Sequence, residues 1–217
     1  SDSYNPGYET FKKNAASRQP VVYVGANDGM LHAFKDSKTN APDDGREIFA
    51  YVPRAVYPSL SNLATKTYGT DSNYHQYFVD GPLREADAYV RAPTATIASW
   101  RNYLVGSTGV GARAVFALDV TETPNLSASA IRWEFSDLDD AELGYVTSPV
   151  EVGVLPNGTW VAIFGNGTFS SGGKAVLFVL NLESGAAQKL TVDSSGSNGL
   201  SGVTARRNSM GQIIALY

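Results

Sequence analysis

Cysteine is missing from all 217 residues. That removes thiol catalysis, cysteine-bound zinc and disulfides together. It leaves the compartment open, because a large β-protein can be secreted without disulfides. Histidine is nearly as scarce, with only His32 and His75. His32 falls inside a strand, where a hydrogen-bonded structural histidine is expected. His75 stands beside Tyr74 and close to Tyr77, with no carboxylate spaced to make it a base. No GxSxG occurs, and the sequence presents no catalytic constellation. No apolar run approaches the roughly 20 residues of a membrane helix, and no signal peptide opens the chain, so no membrane-spanning segment is expected. Positive charge is short as well. Seventeen Lys and Arg face 21 Asp and Glu, a net charge of −4, which argues against a nucleic-acid backbone as partner.

What is present is glycine and aromatic residues: 21 Gly, 12 Tyr and 9 Phe. That mixture suits many short strands joined by turns. The organising stretch is Val21-Val22-Tyr23-Val24-Gly25-Ala26-Asn27-Asp28-Gly29-Met30-Leu31-His32-Ala33-Phe34. It reads as two strands around a tight turn, with Gly29 free to take positive φ. The unit recurs. Tyr103-Leu104-Val105-Gly106 leads through Gly109 and Gly111 into Val115-Phe116-Ala117-Leu118-Asp119-Val120. Val161-Ala162-Ile163-Phe164-Gly165 leads through Gly172 and Gly173 into Val176-Leu177-Phe178-Val179-Leu180. A repeated hairpin is the mark of a repeat architecture.

Taken in order, residues 4–18 read as a lead-in helix with Tyr8, Phe11 and Ala15 on one face. Pro20 stops it, and the face is expected to pack on the first hairpin. Strands follow at 21–24, 30–34 and 47–52, then a short helix after Pro58 and a polar loop over 65–76. From there the unit is complete. Strands are expected at 86–90, 103–106, 114–120 and 131–135, then again at 144–154, 160–165, 175–182 and 187–192. A last unit, 199–217, supplies one strand and ends inside a second. Four antiparallel strands per repeat is the blade of a β-propeller. The fold class is therefore all-β, an incomplete propeller of four-stranded antiparallel blades with a short N-terminal helix. Residues 1–20 form the lead-in and 21–217 the partial propeller, about two full blades and two partial ones. An unclosed propeller exposes sheet edges, so the chain is expected to be a piece of a larger propeller.

Three motifs suggest chemistry. Gly109-Val110-Gly111-Ala112-Arg113-Ala114 fits GxGxxA, but it leads into a strand, so no helix N-terminus would face a pyrophosphate. The stretch 167–174 approximates a phosphate loop with the same defect, and Ala175 replaces the magnesium-binding hydroxyl. The acidic run Asp137-Leu138-Asp139-Asp140-Ala141-Glu142 could offer oxygens to calcium, yet it lacks the internal glycine and the regular spacing. All three read as connecting turns.

Several stretches together resemble the C-terminal domain of PilY/PilC-type pilus proteins. They are the first hairpin, Ala50-Tyr51-Val52-Pro53, Phe78-Val79-Asp80-Gly81-Pro82, Ala117-Leu118-Asp119-Val120-Thr121, Trp133-Glu134-Phe135, Phe164-Gly165-Asn166-Gly167 and Asn198-Gly199-Leu200-Ser201. The resemblance implies a modified β-propeller at the tip of bacterial type IV pili or at the outer membrane. It implies a non-enzymatic role in pilus assembly, twitching motility, surface sensing and adhesion. The implied partners are pilus subunits such as minor pilins, a host or surface receptor, and the remainder of the propeller. Some members carry a calcium loop where this chain reads Arg206-Arg207-Asn208-Ser209-Met210-Gly211-Gln212-Ile213-Ile214. Only Asn208 there is ligand-like, and two cations would repel calcium, so no cofactor or metal is carried over. An Arg-Gly-Asp triplet is also missing. As an adhesin the chain would present its loops, 57–76, 137–142 and 193–202, on a rigid scaffold. Tyr57, Tyr68 and Tyr74 are then the candidate contact residues, since tyrosine offers large area at low entropy cost. Two rivals stand beside this reading. One is a quinoprotein-like dehydrogenase, suggested by Ala117-Leu118-Asp119 with Trp133. The other is a propeller that only docks pilus subunits.

Overall fold

The computed structural model describes residues 7–37, 39–196 and 199–217. Three expected features fall partly outside them: the helix start at Tyr4, Asn198 of the Asn-Gly-Leu-Ser stretch, and part of the 193–202 loop. The strands form four antiparallel sheets that follow chain order. The first holds β1 (Val21–Gly25), β2 (Leu31–Lys35) and β3 (Glu47–Tyr51). The second holds β4 (Leu83–Val90), β5 (Ser99–Ser107), β6 (Ala114–Asp119) and β7 (Ile131–Ser136). The third holds β8 (Glu151–Val154), β9 (Trp160–Gly165), β10 (Ala175–Asn181) and β11 (Ala187–Asp193). The fourth pairs β12 (Ala205–Arg207) with β13 (Ile213–Leu216). Within each sheet every strand lies beside its chain neighbour, as expected of propeller blades.

The apolar runs explain the stacking. Side chains alternate across a strand, so a run that is apolar at every position must be buried on both faces. In β6, Val115 and Ala117 enter the core shared with the third sheet. Phe116 and Leu118 of the same strand enter the core shared with the first. In β9, Ala162 and Phe164 face the second sheet, while Val161 and Ile163 join Val203 and Ile213 of the fourth unit. Three cores thus join consecutive sheets. None of them joins the first sheet to the last, so among the described residues the sheets form an open series. Tyr103, Phe116, Phe164 and Phe178 are fully buried, each contributing about 2–3 kcal/mol of transfer free energy.

A second device repeats at the ends of β1, β5 and β9. After β1, the Asn27 Oδ1 accepts from the Phe78 N–H (3.1 Å) and the Ala26 carbonyl from the Val79 N–H (3.3 Å). After β5, the Ser107 hydroxyl donates to the Val146 carbonyl (2.7 Å). After β9, the Asn166 Oδ1 accepts from the Leu200 N–H (3.0 Å), and the Gly167 N–H donates to the Leu200 carbonyl (2.8 Å). Each turn therefore grips the segment that enters the next sheet. The approach is too close for a side chain. A Cβ on Gly25 would lie 2.3 Å from the Val79 carbonyl oxygen, and one on Gly165 would lie 2.2 Å from that of Leu200.

Two expectations need correction. The strand expected over 144–154 is only β8. Pro149 cannot donate to a ladder, and Tyr145 pairs with Thr168 in an isolated bridge instead. The N-terminal helix, α1 (Tyr8–Ala15), does not pack on the first hairpin. Its apolar face meets Trp100 of β5, with Tyr8 at 4.4 Å and Phe11 at 6.4 Å between ring centroids. Trp100 offers the larger ring, and the Tyr8 hydroxyl donates to Asp87 of β4 (3.0 Å).

Candidate functional site

The connection from the first sheet to the second is set by one carboxylate. Glu134 of β7 accepts from the Tyr51 hydroxyl (2.7 Å) and from the Arg54 and Ala55 N–H groups (2.8 and 2.9 Å). Burial first, and the Glu134 charge beside it, push the Tyr51 phenol far above its ordinary range. Those bonds anchor the short turn that leads into α2 (Tyr57–Leu60), with Pro58 in its first turn as the sequence suggests.

The three candidate tyrosines part company here. Tyr57 is 56% exposed and Tyr74 is 71% exposed. Tyr68 packs under its own loop. Its hydroxyl accepts from the Gln76 N–H (3.0 Å), and its ring meets the edge of His75 at 5.0 Å. No ring contact joins the three to one another among the described residues. The structure therefore leaves Tyr57 and Tyr74 as outward-facing rings and gives Tyr68 a structural position.

A surface cavity of about 420 Å³ opens beside this connection, lined by Arg54, Pro58, Arg113, Asp137, Leu138 and Tyr145 among others. The Arg113 guanidinium lies 5.2 Å over the Tyr145 ring. Among the described residues its hydrogen-bond partner is Asp137 alone, at 3.5 Å, the limit of such a bond, and its Nε is buried with none. Leu138 projects from the acidic loop, 84% exposed. Past Tyr145, Phe169 is 76% exposed, with its ring 6.4 Å away and its backbone at φ +60°. Sequence reading missed this group. Arg113 was legible only as a residue of the GxGxxA turn, and Tyr145 as a strand residue. The available signal was an isolated apolar side chain in each of two polar loops, Leu138 and Phe169.

The remaining motifs are absorbed into the scaffold. GxGxxA is the β5–β6 turn, and 167–174 lies in the β9–β10 turn. In the acidic loop, Asp139 caps Ser136 (2.8 Å), Asp140 pairs with Lys189 (2.6 Å) and Glu142 pairs with Lys174 (2.9 Å). His32 is held between Glu47 (2.5 Å) and Asp28 (2.9 Å), and those hydrogen bonds raise its pKa, Glu47 most, against a smaller opposing effect of burial. In the 206–214 stretch, the Asn208 Oδ1 accepts from the Met210 and Gln212 N–H groups (3.0 Å each). Arg207 there donates to Glu151 (3.0 Å). Among the described residues no cluster of three or more histidine or carboxylate side chains is placed to hold a metal. Asp119 of the quinoprotein-like pattern pairs with Arg101, and the Trp133 indole donates to the Leu182 carbonyl (2.9 Å).

Comparison with known proteins decides the family. A family model described as the PilY1 beta-propeller domain matches residues 3–215. The chain belongs to that family. A type IV pilus biogenesis factor PilY1 homolog of Xylella fastidiosa is 43% identical over 196 residues, which is 90% of this chain and 14% of that protein. The type IV pilus biogenesis factor PilY1 of Pseudomonas aeruginosa strain UCBPP-PA14 is 40% identical over 197 residues, 89% of this chain and 16% of its own length. The crystal structure of the Pseudomonas aeruginosa PilY1 C-terminal domain superposes with a TM-score of 0.76 at 33% identity, covering all of this chain and 40% of that one. The PilY1-type propeller is thus matched over nearly the whole chain, while the chain spans about one-seventh of the full-length relatives.

Proposed function

We propose that this propeller segment serves a type IV pilus biogenesis factor at the bacterial cell surface, at the pilus tip or outer membrane. The carrying observation is the match to the PilY1 propeller over residues 3–215, with relatives named for pilus biogenesis at about 40% identity. In this reading the chain is a non-enzymatic scaffold that needs no calcium through the 206–214 hairpin. Asp119 and Trp133 support it by being spent on internal bonds. The partners are pilus subunits, a surface receptor met through exposed loops at Tyr57 and Tyr74, and further propeller. An open apolar hollow of about 530 Å³ beside the two-stranded fourth sheet, walled by Leu177, Leu190, Ile213 and Leu216, suits cover by additional strands.

Deletion of the gene for the whole protein, followed by complementation, tests the reading. The expected result is loss of surface pili and twitching, restored by the wild-type gene. Unchanged pili and twitching would overturn it. A complementing Tyr57→Ala/Tyr74→Ala double variant is expected to restore pili while lowering cell attachment. Unchanged attachment would remove those two rings from the contact surface.

A further inference from the structure

We infer that the cavity between Arg54, Arg113 and Tyr145 binds an acidic peptide segment, a Glu or Asp side chain followed by an apolar one. The inference does not depend on the pilus reading. Three observations carry it. First, Arg113 is oriented but barely paired. A guanidinium has five N–H donors, and here stacking on Tyr145 fixes its plane while one acceptor stands at 3.5 Å. A carboxylate in the cavity could take two parallel N–H bonds, the arrangement that Arg favours. Second, the local charge leaves room for an anion. Asp140 and Glu142 are neutralised by Lys189 and Lys174, and Glu134 is enclosed by its three donors. Arg54 and Arg113 then face only Asp137 across the cavity. Asp137 behaves as a weak internal stand-in that a ligand carboxylate can displace.

Third, the rim is apolar at a cost. Phe169 combines a left-handed backbone, which a bulky residue rarely adopts, with an aromatic side chain left in water. Strain of this kind persists where it serves a site. Leu138 and the Tyr145 ring line the cationic cavity and form its apolar lip, and the Phe169 ring extends it at 6.4 Å from that of Tyr145. A sugar acid would satisfy the guanidinium, but it has no apolar side chain to place on Leu138 and Phe169, so the lip favours a peptide.

The test is titration of the folded chain with the peptide acetyl-Gly-Glu-Phe-Gly-amide, followed by NMR at the Arg113 Nε–H resonance. The controls are the Gln-for-Glu peptide and D-glucuronate. The expected result is a saturable shift with the Glu peptide, about tenfold weaker with the Gln peptide, the factor one charge-assisted bond carries. Asp137→Asn is expected to tighten binding, because it removes the competing acceptor. Phe169→Gly is expected to raise the urea midpoint and yet weaken binding, a combination that simple unfolding cannot produce. Arg113→Lys is expected to weaken binding with the fold retained. The inference is overturned by no saturable shift, by equal binding of the Glu and Gln peptides, or by glucuronate binding as well as the peptide with no effect of Phe169→Gly.

Discussion

Asn166 shows how much one side chain can hold. Its amide donates to the carbonyls of Glu142 (2.8 Å) and Lys174 (2.9 Å), and its oxygen accepts from the N–H groups of Val176 and Leu200 (3.0 Å each). It is fully buried, so truncation strands four backbone groups at once. Asn166→Ala is expected to cost about 3 kcal/mol or more in urea unfolding, and a loss under about 1 kcal/mol would contradict this account of the turn. His32 is the other informative residue. Glu47 and Asp28 raise its pKa above the ordinary 6.5. A raised folded pKa stabilises in full below the unfolded value and is lost as pH rises through the folded value. The urea midpoint should therefore fall as pH rises from about 6.5 upward, and His32→Gln should flatten that slope. An NMR titration placing the His32 pKa below its ordinary value would refute the clamp. That His32 is structural was legible from its place in a strand. Its two carboxylates were not, because Glu47 comes from a strand whose register the sequence does not state.

At the scale of elements, sequence reading is most accurate where burial is two-sided. The run that becomes β9 has the expected limits, because an apolar run ending in glycine carries its own boundaries. It is least accurate at segments set by tertiary contact. Residues 144–150 read as strand but are taken up by Ser107 and Thr168. The α1 face was legible and its destination was not, since Trp100 lies far along the chain and no local pattern points to it. The candidate contact residues are the least legible: Tyr57, Tyr68 and Tyr74 look alike in sequence, and the Gln76 and His75 contacts separate Tyr68. The connection between the first two sheets hangs on Glu134. Glu134→Gln keeps the shape but removes the charge that three donors share. We expect about 1–2 kcal/mol of destabilisation and faster amide exchange at Arg54 and Ala55, read by hydrogen-exchange NMR. Unchanged exchange there would contradict the anchoring role.

Across the described residues, three cores join four sheets only to their neighbours, which is the energetic form of a repeat protein. Gly25 and Gly165 serve the same end, because they let the ends of β1 and β9 approach the entering segment of the next sheet, while Gly109 and Gly111 of the motif-like turn lie against Asp80 and Phe78, which lead into their own sheet. We propose that the segment works at the pilus, as its place in the PilY1 propeller family supports. This role is tested most directly by immunogold labelling of intact bacteria with an antibody to this chain. Gold on pili, concentrated at their tips or at the outer membrane from which they emerge, is the predicted result. Gold confined to the periplasm, with bare pili and an unlabelled surface, would contradict it.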